Sequence, residues 1–207
     1  MKKIISLVLA LSLCLCMGIS AFAAEIDTSG GSGTTPVSLT TTNSGIGGGE
    51  GGEGGGDVTP TKLNVVVPTS LPMAMSDDGT VVTATDCKVI NNSYGAVRIK
   101  SVTITAANDW HLTAFGDKAS LAGEKVDSNK LGFAMSIGGN QVKTASDAAT
   151  QALISAPIAG CFMTGIGDTA HNFAPIDYAA IVTPLSSAVS NATVANIVIV
   201  VEWDTVS

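Results

Sequence analysis

Charge is scarce in this chain. Charged residues make up 13% of its 207 residues, and acids outnumber bases 17 to 10, for a formal net charge of −7. So few basic residues exclude a nucleic-acid partner, which selects cationic surfaces, and electrostatic docking on anionic lipid. Histidine is nearly missing: His111 and His171 are the only two. A zinc site would need further ligands close by, yet no HExxH and no CxxC occurs, so both histidines read as surface residues. There is no G-x-S-x-G elbow for a nucleophilic serine, and no spacing singles out a carboxylate pair for glycoside hydrolysis. The residues therefore predict no catalytic group, no metal and no cofactor. An enzyme, such as a carbohydrate hydrolase, is the remote alternative.

Long apolar runs are also few. One occupies the start, MKKIISLVLALSLCLCMGISAFAAEI. Lys2 and Lys3 form a short positive region, Ile4 to Cys16 an apolar one, and Ala21-Phe22-Ala23 fits the small-x-small cleavage rule. The expectation is a signal peptide over 1–23 cut after Ala23, and a secreted chain with no membrane span left. The run is short for a retained anchor. Cys14 and Cys16 each follow a leucine, which does not fit lipidation, so both leave with the signal. Loss of Lys2 and Lys3 takes the formal charge to about −9. The terminal VIVVEWDTVS carries no LPxTG signal and no basic tail.

Two cysteines then remain, Cys87 and Cys161. An exported compartment permits a disulfide between them; the alternative is two separate buried thiols acting as small hydrophobes. A bridge would close a loop of about 75 residues and contribute roughly 4 kcal/mol in the chain-entropy model.

Residues 24–60 hold GGSGTT, TTTNSG and GIGGGEGGEGGGD. Almost nothing there can fill a core, so the composition predicts a disordered Gly/Ser/Thr-rich linker. A phosphate-binding loop would need a strand before it, a helix after it and a Lys-Ser/Thr pair, and none is present.

Residues 61–207 read as one all-β domain, an antiparallel, Ig-like β-sandwich of about eight to ten short strands. Leu131, Phe133, Met135 and Ile137 alternate with smaller or polar residues, as in a half-buried strand. Gly138-Gly139-Asn140 reads as a hairpin turn, and Asp77-Asp78-Gly79 as another, joining Met73-Ala74-Met75 to Val81-Val82-Thr83. In AVRIKSVTITA, Val97 and Ile99 share one parity and Val102 and Ile104 the other. Either a bulge near Lys100-Ser101 restores the register or the strand changes sheets. Ile197, Ile199, Val201 and Trp203 lie on one parity of a last strand that is apolar on both, as in a central strand. TASDAATQAL, from Thr144 to Leu153, alone looks helical. Pro68 and Pro72 interrupt an apolar segment; prolines are tolerated at strand ends and edges, so Pro68 to Pro72 reads as a kinked crossing between sheets.

The succession VPTSLP, SDDGTVVTATDCKVINNS, VTITAANDWHL and SNATVANIVIVVEWD resembles a family of exported cell-surface sandwich domains of Gram-positive, especially clostridial, bacteria. The likeness spans about residues 62–207. A weaker resemblance is to the WxL surface domain, which attaches non-covalently to peptidoglycan. Trp110-His111-Leu112 matches its first Trp-x-Leu motif, and Trp203-Asp204-Thr205 shares only the tryptophan of the second. The resemblance implies ligand contacts at Trp110, Leu112 and Trp203. As residues, the two tryptophans are either exposed platforms for sugar faces or large core plugs. Asp77 and Asp78 supply too few oxygens for calcium and fit a plain turn. Gly165 to Ala170 imitates a dinucleotide fingerprint without the helix. Asn91-Asn92-Ser93 and Asn191-Ala192-Thr193 are formal sequons that fit polar turns.

The expected function is a secreted, non-enzymatic cell-surface protein, a wall-associated or extracellular interaction module whose partner is peptidoglycan or another surface protein. The alternative is a structural subunit of a fibre or matrix that self-assembles by strand exchange. The leader gives a direct prediction: the intact mass of the exported protein corresponds to a chain starting at Ala24, and a start elsewhere would refute the cleavage assignment.

Overall fold

Alternating side chains become strands wherever one parity can be buried. The computed structural model describes residues 23–26, 32–41 and 63–204; the apolar leader before Ala23 and the glycine-rich residues 42–62 lie outside them. The described residues form a β-sandwich of two seven-stranded sheets. The first runs β1 (Ala23–Ile26), β3 (Val65–Pro68), β6 (Cys87–Asn91), β13 (Phe173–Val182), β9 (Lys130–Ile137), β10 (Asn140–Lys143), with β8 (His111–Thr113) also on β9. The second runs β11 (Thr150–Ile154), β7 (Val97–Ala106), β14 (Ala192–Trp203), β2 (Ser32–Thr41), β4 (Leu71–Met75), β5 (Val81–Thr83), with β12 (Phe162–Met163) also on β7. All pairings are antiparallel except β2 with β4 and β8 with β9. Twelve of the fourteen strands lie within 61–207, more than the eight to ten expected there.

Both sheets feed one core. Val65, Val89, Phe133, Ile137 and Ile176 from the first meet Val37, Met73, Ile99, Ile104, Ile197 and Ile199 from the second. Each such side chain, fully buried, contributes about 1.5–3 kcal/mol of transfer free energy. The phase change in β7 is a bulge: Val200 faces Ser101 while Val201 faces Ile99, so Lys100 is skipped. Val97, Ile99, Val102 and Ile104 consequently all reach the core, each 0% exposed. β14 lies between β7 and β2. Its odd positions from Ala195 to Val201 are buried and most of its even ones half-buried, so it is central in its sheet but not covered on both sides.

The crossing at the prolines is as expected. β3 ends at Pro68 in the first sheet and β4 begins at Leu71 in the second. Neither proline can donate to a ladder, but both carbonyls are used. The Thr35 hydroxyl donates to Pro68 O, and the Tyr178 hydroxyl of β13 donates to Pro72 O. Ala84 N–H donates to the same Tyr178 oxygen at 3.1 Å, so Tyr178 ties the first sheet to the β4–β5 hairpin. Burial pushes its phenol well above the usual range. The turn between Ile137 and Asn140 places Gly138 and Gly139 at φ +54° and +82°, the left-handed pair that a two-residue hairpin requires. Gly138 also lies back to back with Gly160: a Cβ on either would fall within 2.0 Å of the other's carbonyl oxygen.

Two expectations are corrected, and a third reading, left open between two alternatives, is decided. First, the linker expected over 24–60 is in part sandwich: Ala23–Ile26 pairs with β3, and Ser32–Thr41 is threaded between β14 and β4. Its small residues are no obstacle, because the inward positions Gly33, Thr35 and Val37 need little room. Second, TASDAATQAL is not helical. Thr144 N–H donates to Phe133 O at 2.8 Å, and its buried hydroxyl donates to Thr113 O at 2.6 Å and accepts from Phe133 N–H at 3.0 Å. The Gln151 side chain then holds the loop at Ala145 N and Ser146 O, and 150–154 pair with β7. Tertiary bonds here override the helix propensity of alanine.

Third, Cys87 and Cys161 are both buried and free. Cys161 O accepts from Ile99 N–H of β7, and its thiol faces Ile137 O on β9 at 3.7 Å. Ile176 of β13 stands between Ile137 and Cys87. Two strand spacings, about 10 Å, therefore separate Cys87 from the backbone that the Cys161 thiol touches, beyond disulfide reach. Burial pushes both thiols up in pKa, leaving them protonated and unreactive. Iodoacetamide should add nothing at Cys87 and Cys161 in the folded protein and two adducts there after denaturation; a mass two hydrogens lighter, with no adduct in denaturant, would show a disulfide instead.

Candidate functional site

Large apolar side chains that a sandwich leaves in solvent are the natural place to look for binding once the core is accounted for. Four of the five most exposed ones, Tyr94 (58%), Phe162 (44%), Ile166 and Phe173, belong to elements at one end of the domain. Tyr94 sits in the turn after β6 and Ile166 in the loop after β12. The two loops touch: Ile166 N–H donates to Ser93 O at 2.8 Å, and a Cβ on Gly165 would lie 2.0 Å from Tyr94 O. Phe162 lies opposite Arg98 on the second sheet, and Phe173 opposite Ile90 on the first. Lys88 Nζ lies 5.3 Å from the Phe173 ring centroid, a cation–π contact.

Asn91 builds this end. It is fully buried, so its amide must be satisfied internally. Nδ2 donates to Gly95 O and Thr164 O, each at 2.8 Å, while Oδ1 accepts from Ser93 N–H at 2.8 Å. Asn172 Nδ2 donates to Asn91 O at 3.2 Å. Ser93 Oγ accepts from Asn64 N–H at 2.8 Å. One side chain thus fastens the Tyr94 turn to the 164–172 loop, and the Asn91-Asn92-Ser93 sequon is the polar turn expected of it.

Trp203 lies behind the turn. It ends β14 opposite Val97 and packs on the core, half-buried. A Cβ on Gly95 would meet its Cζ3 at 2.9 Å, so the indole rests on the glycine's open face. Beside it, Glu202 is held by Arg98 Nη2 at 2.7 Å and Lys100 Nζ at 3.0 Å, with Asp204 3.8 Å from Arg98. The hydrogen bonds from Lys100 and Arg98 hold the Glu202 carboxyl below its ordinary pKa.

The residues implied by the WxL resemblance do not come together. Trp110 is 8% exposed and Leu112 is 1% exposed, both in the core, which corrects the expectation that they contact a ligand. Trp110 N–H bonds to Ala107 O just beyond the end of β7, whereas Trp203 faces the start of that strand. The length of β7 puts the two at opposite ends, about 30 Å apart. Of the three, only Trp203 lies at the exposed end.

The other singled-out residues serve turns. The Asp78 carboxylate accepts from Ser76 Oγ at 2.6 Å, Thr80 N–H at 2.9 Å and Thr80 Oγ1 at 2.8 Å. Those bonds, the Ser76 one foremost, hold it well below the usual carboxylate range. His111 is exposed, and His171 Nδ1 lies 2.9 Å from Asp168. Among the described residues, no three His, Cys, Asp or Glu side chains gather as metal ligands.

No motif in the sequence singles out Tyr94, Phe162, Ile166 or Phe173. Phe173 had a signal, since it is in phase with Pro175 and Asp177 on the outward parity of β13; Tyr94 is a large ring in an Asn-Ser-Tyr-Gly turn. Compared with protein-family models, curated proteins and solved structures, the chain matches none. What fold and site define is a class: an all-β sandwich with four exposed large apolar side chains on the elements of one end.

With Trp110→Phe as background, Trp203 is the only indole, and Gly95→Ala should shift its emission to longer wavelength by pushing the ring toward water. Unchanged emission would mean that the ring does not rest on Gly95.

Proposed function

We propose that this chain is an exported, non-enzymatic cell-surface protein that acts as a wall-associated or extracellular interaction module through its Tyr94 end. The observation that carries this reading is that four of the five most exposed large apolar side chains of the described residues, three of them rings, stand on elements at one end of the domain. Sugar C–H faces stack on exposed rings, so wall glycan is the first ligand to test. The polar groups nearby fix this end in place: Asn91, Ser93, Asp168 and Glu202 are each engaged in bonds that hold loops or strands.

A second reading, a structural subunit assembling by strand exchange, is favoured by a different observation. A segment far from its neighbours in sequence, Ser32–Thr41, completes the interior of the second sheet.

Sedimentation of the purified protein with isolated Gram-positive peptidoglycan tests the first reading. The wild type should pellet with the wall, and Tyr94→Ala and Phe173→Ala should each weaken binding by about tenfold, as expected for loss of about 1.4 kcal/mol of ring contact. Failure of the wild type to pellet at any salt concentration would remove wall binding and leave a protein partner.

A further inference from the structure

β2 differs from the other interior strands in how it is attached. It forms eight residue pairs with β14 and five with β4, and both partners lie on the far side of residues 42–62. Without it the second sheet divides into β11-β7-β14 and β4-β5, leaving two facing edges with unpaired backbone groups. Its described inward side chains, Gly33, Thr35 and Val37, are small, so its place is set chiefly by two ladders of backbone bonds. Any strand of the same sequence would form those ladders equally well.

The connection is also longer than its place in the fold requires. Thr41 pairs with Met75 at the end of β4. β3 and β4 run in the same direction: β3 starts at Val65 opposite Asn91, at the Tyr94 end, whereas Thr41 and Met75 lie at the other end, so the connection returns along the length of the sandwich, about 30 Å. About ten extended residues would bridge this. The chain instead uses about twenty, which reach at most about 70 Å when extended, and their composition is dominated by GIGGGEGGEGGGD.

We infer that residues 32–41 are an exchangeable strand, and that the cleft between β14 and β4 accepts the same strand from a second copy of this chain. This rests on the structural-subunit reading above and names its partner and its site. Exchange replaces each backbone bond by an identical one, so the only difference is entropic. The chain's own strand competes at an effective concentration in the millimolar range. Exchange therefore grows with crowding, and a copy that gives its strand to one neighbour and takes one from another extends an open chain of subunits.

The test uses the chain from Ala24 to Ser207 with Thr34→Cys and Val198→Cys. These two residues face each other across β2 and β14, Thr34 exposed and Val198 half-buried, while the native cysteines are buried. The protein is refolded from about 10 μM to about 1 mM, bridged with a short bis-maleimide, and read on a denaturing gel beside light scattering of the uncross-linked sample. The single variants Thr34→Cys and Val198→Cys control for folding and for random bridging. The expected result is a ladder of dimers and higher species that grows roughly in proportion to concentration and is absent in the singles. Bridging confined to monomers at every concentration overturns the inference. If scattering reports polymers whose bridges stay within monomers, exchange fails while assembly through another surface stands; if scattering reports only monomers, both fail.

Discussion

The second sheet depends on pairing both flanks of β14. A buried strand cannot leave a row of N–H and C=O groups without partners, because each orphan costs about as much as a lost hydrogen bond. One flank is satisfied by β7 and the other by β2. The remaining features follow from this arrangement. The bulge at Lys100 keeps β7 in register with β14, and β4 reaches the sheet only through β2.

The prolines serve the same requirement from the opposite direction. Pro68 and Pro72 flank a crossing where no ladder can continue, and their carbonyls are taken by Thr35 from the N-terminal strand and by Tyr178 from the first sheet. An N-terminal strand, a sheet crossing and a central tyrosine thereby become one unit. Phe133 stacks on Tyr178 with ring centroids 6.1 Å apart, which carries that unit into the middle of the core.

The aromatic side chains divide between the core and one end of the domain. Trp110 and Phe133 are used for filling, and Trp203 closes one end against Gly95. The rings left over, Tyr94, Phe162 and Phe173, stand on loops and outward strand faces that Asn91 and its partners hold in place. An end with a buried polar anchor is held in place, so under the proposed reading its loops would need little ordering on binding.

Much of the fold was legible in local pattern. Period two gave the strands, Gly138-Gly139 and Asp77-Asp78-Gly79 the hairpins, the parity change the bulge at Lys100, and the two prolines the crossing, because each depends on a few neighbouring residues. Three features were not. The helical look of Thr144 to Leu153 yielded to bonds with Phe133 and Thr113, distant in sequence. The fate of Cys87 and Cys161 turned on an intervening strand. The threading of Ser32–Thr41 turned on pairing with β14 and β4, both distant in sequence. The sequence by itself determined an all-β chain with one alternating core. Tertiary structure alone decided which poor-looking segment completes the sheet and which rings remain outside, since both are settled by long-range pairing that no local window contains.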